Sequence, residues 1–262
     1  IVSCDTSGSY KDERYAMLTI PWMTGYDSLM ESTAGDRPLF HGEFHYTNRR
    51  IIYPDNWSRS IYFHAFLHGL NGNYSWVWVR SARIGAALLL DANVLLGSGR
   101  AALDLQRVAE EICAFQDRPA DVVLLYSNAS SPHSRRRGEQ VLSQRNQTDR
   151  IFEGLYFEGL KVGYVTERML QRGDYDPNVP LIIPNSSHVQ KPTREAVRQF
   201  AESGGHILMA GDSLLYTPQG AAYDAFPELD TVTRMEGFAS ADEARAAVAP
   251  YLQDLGIEAA YR

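Results

Sequence analysis

The feature that most constrains the fold is the alternation of short apolar runs with amphipathic segments along the second half of the chain. Each apolar run is rich in β-branched residues and leucine, and the segments between the runs carry apolar residues at helical spacing. Strands are predicted at 121–126, 162–166, 181–184 and 206–211, and helices at about 149–159, 193–202 and 241–255. This alternation indicates a mostly parallel sheet with helices on both faces.

The first half alternates in the same way but is short. Strands are predicted at 1–4, 38–44 and 75–79, and helices at 27–34, 57–68 and 101–115. These three β/α units occupy roughly 115 residues, whereas a closed eight-stranded α/β barrel needs about 250. A polar segment that contains Pro119 separates the halves, so we predict one domain over 1–116 and a second over 121–262.

Charge and cysteine content restrict the partners and the cellular location. The formal net charge of -7 argues against a nucleic-acid partner, because such proteins are normally basic. The apolar runs are far shorter than the ~18 residues that suggest a membrane span, so no membrane association is expected. Cys4 and Cys113 are predicted as two buried thiols rather than a disulfide. We expect a cytoplasmic protein, although five N-x-Ser/Thr sequences leave secretion open.

The second predicted strand carries the most informative polar residues. Because side chains alternate along a strand, His41, Glu43 and His45 are predicted on one face, and Phe40 and Phe44 on the other. A carboxylate at the carboxyl end of a parallel strand lies where α/β barrels place their catalytic groups. We predict Glu43 as a catalytic residue and both histidines as substrate-binding residues. The alternative is that Glu43 caps a loop or pairs with an arginine.

Two tryptophans fall on the third predicted strand. Alternation places Trp76 and Trp78 on one face of it. An indole at the end of a strand offers a flat apolar surface on which the C–H face of a sugar ring stacks. Both are therefore predicted to bind substrate, and Trp78 is the better candidate because it is outermost. Either side chain could instead belong to the core.

Together these segments resemble a known group of enzymes. The order of RPLFHGEFHYTN, NWSRSIYFHAFLHGLNG and YSWVWVR resembles the seventh and eighth β/α units of a clan A glycoside hydrolase barrel. The resemblance implies that Glu43 is the catalytic nucleophile at the end of strand seven. It also implies that Trp78 or Trp76 forms the floor of a sugar subsite, and that residues 1–5 are strand six.

The second half resembles the domain that follows the barrel in family 42 β-galactosidases. It carries DVVLLYSNAS, FEGLYFEGLKVGYVTE and VPLIIPNSSHVQKPTREAVRQFAESGGHILMAGDS in that order. In the family this domain is flavodoxin-like, is related to class I amidotransferases and serves in trimer formation. The expected fold is therefore α/β, with the last β/α units of a (β/α)8 TIM barrel followed by a flavodoxin-like parallel domain. A homo-oligomer, trimeric by resemblance, is expected.

The resemblance implies retaining hydrolysis of β-galactosides or related β-glycosides. Such enzymes use two carboxyl groups about 5–5.5 Å apart. The acid/base of the family is a Glu at the end of strand four, and the resemblance begins near strand six, so no residue here matches it. The chain, which starts inside an apolar strand, is expected to be part of a larger or split enzyme and inactive alone. The alternative is a non-catalytic carbohydrate-binding or oligomerisation module.

Other chemistries have weaker support in the sequence, and we expect no cofactor and no metal. The loop 127–131 is polar enough for a flavin phosphate but lacks glycine. The segment 184–188 lacks the cysteine that an amidotransferase needs, and adjacent Ser187 and His188 are a weak hydrolase signal. His64 and His68 have the spacing of metal ligands without the accompanying glutamate, so helix packing is favoured.

Overall fold

A computed structural model describes residues 2–7, 23–45, 56–75, 77–80, 88–134 and 143–259. The chain divides into two compact units, Ile1–Arg118 and Pro119–Arg262. Within the described ranges, no helix is both long enough and apolar enough to cross a membrane.

The first unit is built on a parallel three-stranded sheet in the order β1-β2-β3, with helices between the strands and after them. In chain order its elements are β1 (Val2–Ser7), α1 (Thr24–Ala34), β2 (Leu39–His45), α2 (Trp57–Leu67), β3 (Leu70–Ser75), a short 3-10 turn (Leu88–Leu90), α3 (Ala92–Arg107) and α4 (Ala109–Gln116). The predicted helix at 57–68 is confirmed as α2, and its residues Trp57, Ile61 and Ala65 are completely buried in the core of this unit.

The third strand lies earlier in the chain than the predicted 75–79. The glycines and asparagines of 69–73 suggest a loop, but they pair with β2. Gly72 lies beneath the Phe40 ring, where a Cβ atom would come within 2.3 Å of Phe40 Cε1. The Asn71 side chain accepts a hydrogen bond from the Leu39 amide at 2.8 Å, where the ladder is interrupted. Gly72 and Asn71 therefore belong to this strand because β2 lies close to it. Hydrophobic periodicity cannot detect such a contact between strands.

The helix predicted at 101–115 is two helices. Asp91 starts α3 early because its carboxylate accepts hydrogen bonds from the amides of Asn93 and Val94. The helical path is interrupted at Val108, after which α4 begins. Cys113 lies on α4 as a free, exposed thiol, so the prediction that it is buried is wrong. Cys4 lies on β1, but its side chain is outside the described part of the structure.

The second unit contains a parallel five-stranded sheet in the order β5-β4-β6-β7-β8. In chain order its elements are β4 (Val122–Tyr126), α5 (Ser131–Ser134), α6 (Gln144–Tyr156), β5 (Val162–Thr166), α7 (Glu167–Arg172), β6 (Leu181–Pro184), α8 (Lys191–Glu202), β7 (Ile207–Ala210), β8 (Val232–Met235) and α9 (Ala241–Asp254). The strand order reverses between β4 and β6, and their carboxyl ends form the switch point at which such sheets often bind ligands.

Four predicted strands of this unit are confirmed, and β8, α5 and α7 are additional. The sequence of β8 is only partly apolar, and α7 is only six residues long, so neither gives a clear periodic signal. Helix α6 begins before the predicted 149 because the Ser143 hydroxyl caps it by accepting from the Asn146 amide. Thr193 does not cap α8, which begins at Lys191; its hydroxyl donates to Glu167 Oε2 at 3.1 Å.

Candidate active site

Between His41 and Phe44, strand β2 carries one extra residue relative to each of its neighbours. Against β1, Cys4 pairs with His41 and Asp5 pairs with Glu43, which leaves Gly42 without a partner. Against β3, the three steps from His41 to Phe44 match only two steps of the partner strand. This arrangement is a β-bulge, which bends the strand and re-aims the side chains that follow it.

The bulge changes the face on which Glu43 lies. Leu39 and Phe44 belong to the same buried core although they are five positions apart, and the His41 ring meets the Phe44 ring edge-on at 4.8 Å. Regular alternation would place Leu39 and Phe44 on opposite faces. His41 and Phe44 therefore point towards the helices, whereas Glu43, the neighbour of Phe44, points to the opposite face. The prediction that His41 and Glu43 share a face is wrong because periodicity does not detect a bulge.

His41 lies in the interior of the first unit. Its Nε2 atom is 2.8 Å from Asp27 Oδ1 on α1, and both side chains are completely buried. Burial raises the pKa of Asp27, and the hydrogen bond from His41 opposes that rise. Among the described residues, Asp27 Oδ2 has no hydrogen-bond partner. His41 thus supports the strand that carries Glu43, and Asp27 is a supporting residue that sequence reasoning missed. Its position on the core-facing side of a helix was the available signal.

Glu43 is half-buried in the carboxyl-terminal part of β2, the central strand of the sheet. Phe40 precedes the bulge and lies on the same face as Glu43, because its neighbours Leu39 and His41 are both buried on the other. The Phe40 ring stacks on Tyr74 of β3 with centroids 6.4 Å apart. A carboxylate and an aromatic pair therefore share one face of the sheet. This arrangement combines a carboxylate with aromatic surfaces of the kind that can pack against a sugar ring.

The other predicted substrate-binding residues have different outcomes. Trp78 lies beyond β3, in a tight turn in which the carbonyl of Val77 accepts hydrogen bonds from the amides of Val79 and Leu88. Its side chain is 57% exposed, so it is not part of the core. Trp76 lies outside the described residues, as does the side chain of His45, the last residue of β2. Their roles in binding remain predictions.

His64 and His68 contact hydroxyl groups of α1. The Nδ1 atom of His64 is 3.3 Å from the Thr24 hydroxyl, and the Nδ1 atom of His68 is 3.1 Å from the Ser28 hydroxyl. Burial lowers the pKa of His64 to about 4. Among the described residues, no group of three potential metal-binding side chains occurs. The two histidines therefore join α2 to α1.

The switch point of the second unit is occupied by a hydrogen-bonded network of its own side chains. The Ser130 hydroxyl accepts from the His188 amide at 3.0 Å and donates to its carbonyl at 2.5 Å. Glu167 accepts from the hydroxyls of Ser127 and Thr193 and from the amide of Ala129. These contacts join the loops that follow β4 and β6 and the start of α7.

The side chains of Ser187 and His188 are hydrogen-bonded to each other, although residues adjacent in sequence seldom face each other in this way. The Ser187 hydroxyl lies 2.9 Å from His188 Nδ1, and the His188 ring stacks face to face on His133 at 3.7 Å. His188 is 4% exposed, and its backbone amide is bonded to Ser130. The amide of Ser187 donates to the carbonyl of Asn185, so neither of these two amides is available to stabilise an oxyanion.

No protein-family model and no curated protein sequence matches this chain. Solved structures do match it. The apo exo-carrageenase GH42 from Bacteroides ovatus has a TM-score of 0.70 and 22% identity, over 88% of this chain and 32% of that one. A GH42 β-galactosidase from G. stearothermophilus has a TM-score of 0.79 and 12% identity, over 99% of this chain and 50% of that one. The β-galactosidase from the psychrophilic Marinomonas ef1 has a TM-score of 0.71 and 14% identity, over 99% of this chain and 52% of that one.

Each of these enzymes is at least about twice as long as the part that this chain matches, since 32%, 50% and 52% of their lengths are covered. At these low identities the likeness is one of fold. The expected α/β fold class, with a parallel sheet in each unit, is confirmed. The chain has the fold of a part of the family 42 β-galactosidases.

Proposed function

We propose that this chain supplies the nucleophile side of a retaining β-glycosidase site, with Glu43 as the nucleophile. The observation that carries the proposal is the bulge at Gly42, which turns Glu43 away from the buried face of the central strand. A carboxylate near the carboxyl end of a parallel α/β strand is well placed for catalysis. The likeness in fold to GH42 β-galactosidases supports a β-galactoside or a related β-glycoside as the substrate.

In this reaction a carboxylate oxygen of Glu43 attacks the anomeric carbon, and the bond from that carbon to the leaving-group oxygen breaks. A second carboxyl group protonates the departing oxygen and then takes a proton from the water that cleaves the glycosyl ester. We propose that this acid/base belongs to a segment that the present sequence does not contain. Trp78, together with Trp76, His45 and the Phe40–Tyr74 pair, contacts the sugar in this proposal. His41 supports β2 from the opposite face.

A substrate whose leaving group needs no protonation tests nucleophilic attack by Glu43 independently of the acid/base. Dinitrophenolate departs without acid assistance, so 2,4-dinitrophenyl β-galactoside should glycosylate Glu43 even if the acid/base is missing. We expect a stoichiometric burst of dinitrophenolate followed by very slow turnover. Azide, which attacks without a general base, should accelerate the turnover and give the galactosyl azide. Mass spectrometry of peptides locates the ester, and the β-glucoside tests the sugar preference.

Two variants provide the comparison. Glu43→Gln should abolish the burst, whereas Glu110→Gln, at an exposed glutamate of α4, should retain it. A burst that persists in Glu43→Gln, or an ester on another residue, contradicts the assignment of the nucleophile. Reversible binding of galactosides without any covalent ester supports a non-catalytic module instead.

We further propose a homo-oligomeric, cytoplasmic protein, trimeric by analogy of fold. Native mass spectrometry of the chain measures the oligomeric state directly. A monomer at micromolar concentration contradicts the oligomer without affecting the assignment of Glu43.

A further inference from the structure

A cavity of about 370 Å³ lies between α2 and α3 of the first unit. Its charged lining consists of three arginines and one aspartate, namely Arg59, Arg100, Arg107 and Asp104. Its volume is at the lower end of the range for small-molecule sites, about 300–1,000 Å³. The cavity is formed by helices, whereas Glu43 lies on a strand.

The charges of the lining do not balance. Asp104 Oδ2 is 3.2 Å from Arg59, and Asp104 Oδ1 is 3.4 Å from Arg107, so both oxygens of this carboxylate are already engaged. Arg100 has no hydrogen bond or ion pair with the described residues. With three guanidinium groups and one carboxylate, the lining has a net charge of +2, in a chain whose net charge is -7. A lining with an excess of positive charge favours the binding of an anion.

Two of the arginines contact the same carboxylate, although both side chains are more than half exposed. Arg59 bonds to Asp104 on one side, and its guanidinium carbon lies 5.6 Å from the centre of the Phe63 ring on the other. Arg107 is held by the same carboxylate, one helical turn away on α3. Because these ion pairs lie at the surface they are weak, so an oxyanion can compete with Asp104 for both guanidinium groups.

The remaining lining leaves room for more than a bare ion. Gly97 has no side chain, so a ligand can approach the backbone of α3 directly. Leu103 contributes an apolar wall and is 58% exposed. Asn56, at the start of α2, adds an amide that can donate or accept a hydrogen bond. The cavity thus offers a cationic side, an apolar side and a neutral polar group.

We propose that this cavity binds a phosphate or sulfate ester of a small molecule about the size of a monosaccharide. The tetrahedral oxyanion would lie between Arg100 and the Asp104-bound pair of arginines, because planar guanidinium groups match its oxygens with two parallel hydrogen bonds. The organic part would lie against Leu103 and Gly97. Phosphate and sulfate share this chemistry, and the binding measurement distinguishes them.

Isothermal titration of the whole chain at constant ionic strength tests the proposal. The probes are inorganic phosphate, inorganic sulfate, galactose 6-phosphate, galactose 6-sulfate and galactose. We expect saturable binding of at least one ester, at least ten-fold tighter than that of galactose. Similar affinities for the ester and its inorganic ion would mean that the anionic group is recognised alone, which contradicts the proposed ester. Binding of all anions in proportion to their charge also contradicts it.

Substitutions of opposite charge make the test specific to this cavity. Arg100→Gln should weaken binding at least ten-fold, and Asp104→Asn, which removes the competing negative charge, should strengthen it several-fold. Arg80→Gln, at an exposed arginine outside the cavity, is the matched control and should change nothing. An equal effect of Arg80→Gln and Arg100→Gln, or weaker binding by Asp104→Asn, overturns the assignment. Galactose itself can also bind at the proposed Glu43 site, so the comparison of Arg100→Gln and Asp104→Asn with the parent chain assigns binding to this cavity, whose lining includes no residue of β2 or β3.

Discussion

The Nε2 atom of His41 lies 2.8 Å from Oδ1 of Asp27, and neither side chain is accessible to solvent. This bond joins β2 to α1 immediately before the bulge that turns Glu43. Replacing His41 by leucine leaves the Asp27 carboxyl group buried without that donor. We expect His41→Leu to lower the free energy of unfolding by about 3–5 kcal/mol. Urea denaturation followed by tryptophan fluorescence measures it, because all four tryptophans lie within residues 1–118.

The double variant Asp27→Leu/His41→Leu provides the control. When both partners become apolar, no buried polar group is left unpaired, so most of the lost stability should return. A double variant that is as unstable as His41→Leu would show that packing, rather than the hydrogen bond, is what the histidine contributes.

Stability should also depend on pH through His64. Burial lowers the pKa of His64 in the folded protein to about 4, from 6.5 for the free side chain. Between these values the unfolded chain binds a proton that the folded chain does not, so acid favours unfolding. The contribution of His64 to the free energy of unfolding should be largest above pH 6.5 and should fall by on the order of 2 kcal/mol as the pH drops to 4, whereas the raised pKa of Asp27 acts in the opposite direction. Tryptophan-monitored urea titrations across this range test the expectation.

The variant His64→Gln isolates this contribution. Glutamine does not titrate, so the decline between pH 6.5 and 4 should become shallower, whereas His206→Gln, at an exposed position in the other unit, should leave the curve unchanged. An unchanged slope in His64→Gln would assign the pH dependence to other groups.

Two glycines of the first unit should respond to alanine with opposite signs. At Gly72 a new Cβ would lie 2.3 Å from Phe40 Cε1, so the ring and its stacking on Tyr74 must shift. We expect Gly72→Ala to destabilise the unit by about 1–3 kcal/mol. Gly99 is an exposed position of α3 with nothing within 4 Å of such an atom, and alanine there should stabilise the helix by about 0.5–1 kcal/mol. Tryptophan-monitored unfolding of both variants is the measurement.

Much of the fold can be predicted from hydrophobic periodicity. Where that prediction is wrong, the error has a specific physical cause. Val122–Tyr126 and Leu181–Pro184 are short apolar runs bounded by polar residues, so their burial and pairing are evident from the sequence. The third strand is predicted at 75–79 rather than at Leu70–Ser75, because the glycine and asparagines of Leu70–Ser75 give no strand periodicity and instead serve close packing and a side-chain hydrogen bond to the neighbouring backbone. Such pairings depend on residues distant in the chain.

The candidate site shows the same division. The position of Glu43 on a strand makes it a candidate from the sequence alone. The face of the sheet to which its side chain points depends on the bulge at Gly42, which is seen only when β2 is compared with both neighbouring strands. Similarly, the bond between His41 and Asp27 joins residues fourteen positions apart in different elements, and no local pattern indicates it.

In the second unit, Glu167 should act as the central acceptor of the switch-point network. It accepts hydrogen bonds from the hydroxyls of Ser127 and Thr193 and from the amide of Ala129, and it is nearly buried. Glu167→Ala leaves these donors without that partner and should destabilise the unit by about 2 kcal/mol, whereas Glu167→Gln keeps one oxygen acceptor and should cost less. Amide hydrogen exchange at Ala129 should therefore be faster in Glu167→Ala than in Glu167→Gln, and slowest in the parent chain.

Glu195→Gln is the control, because Glu195 forms an exposed ion pair with Arg198; this substitution should leave the exchange at Ala129 unchanged. Equal exchange rates in Glu167→Ala and the parent chain would show that the network does not depend on this carboxylate.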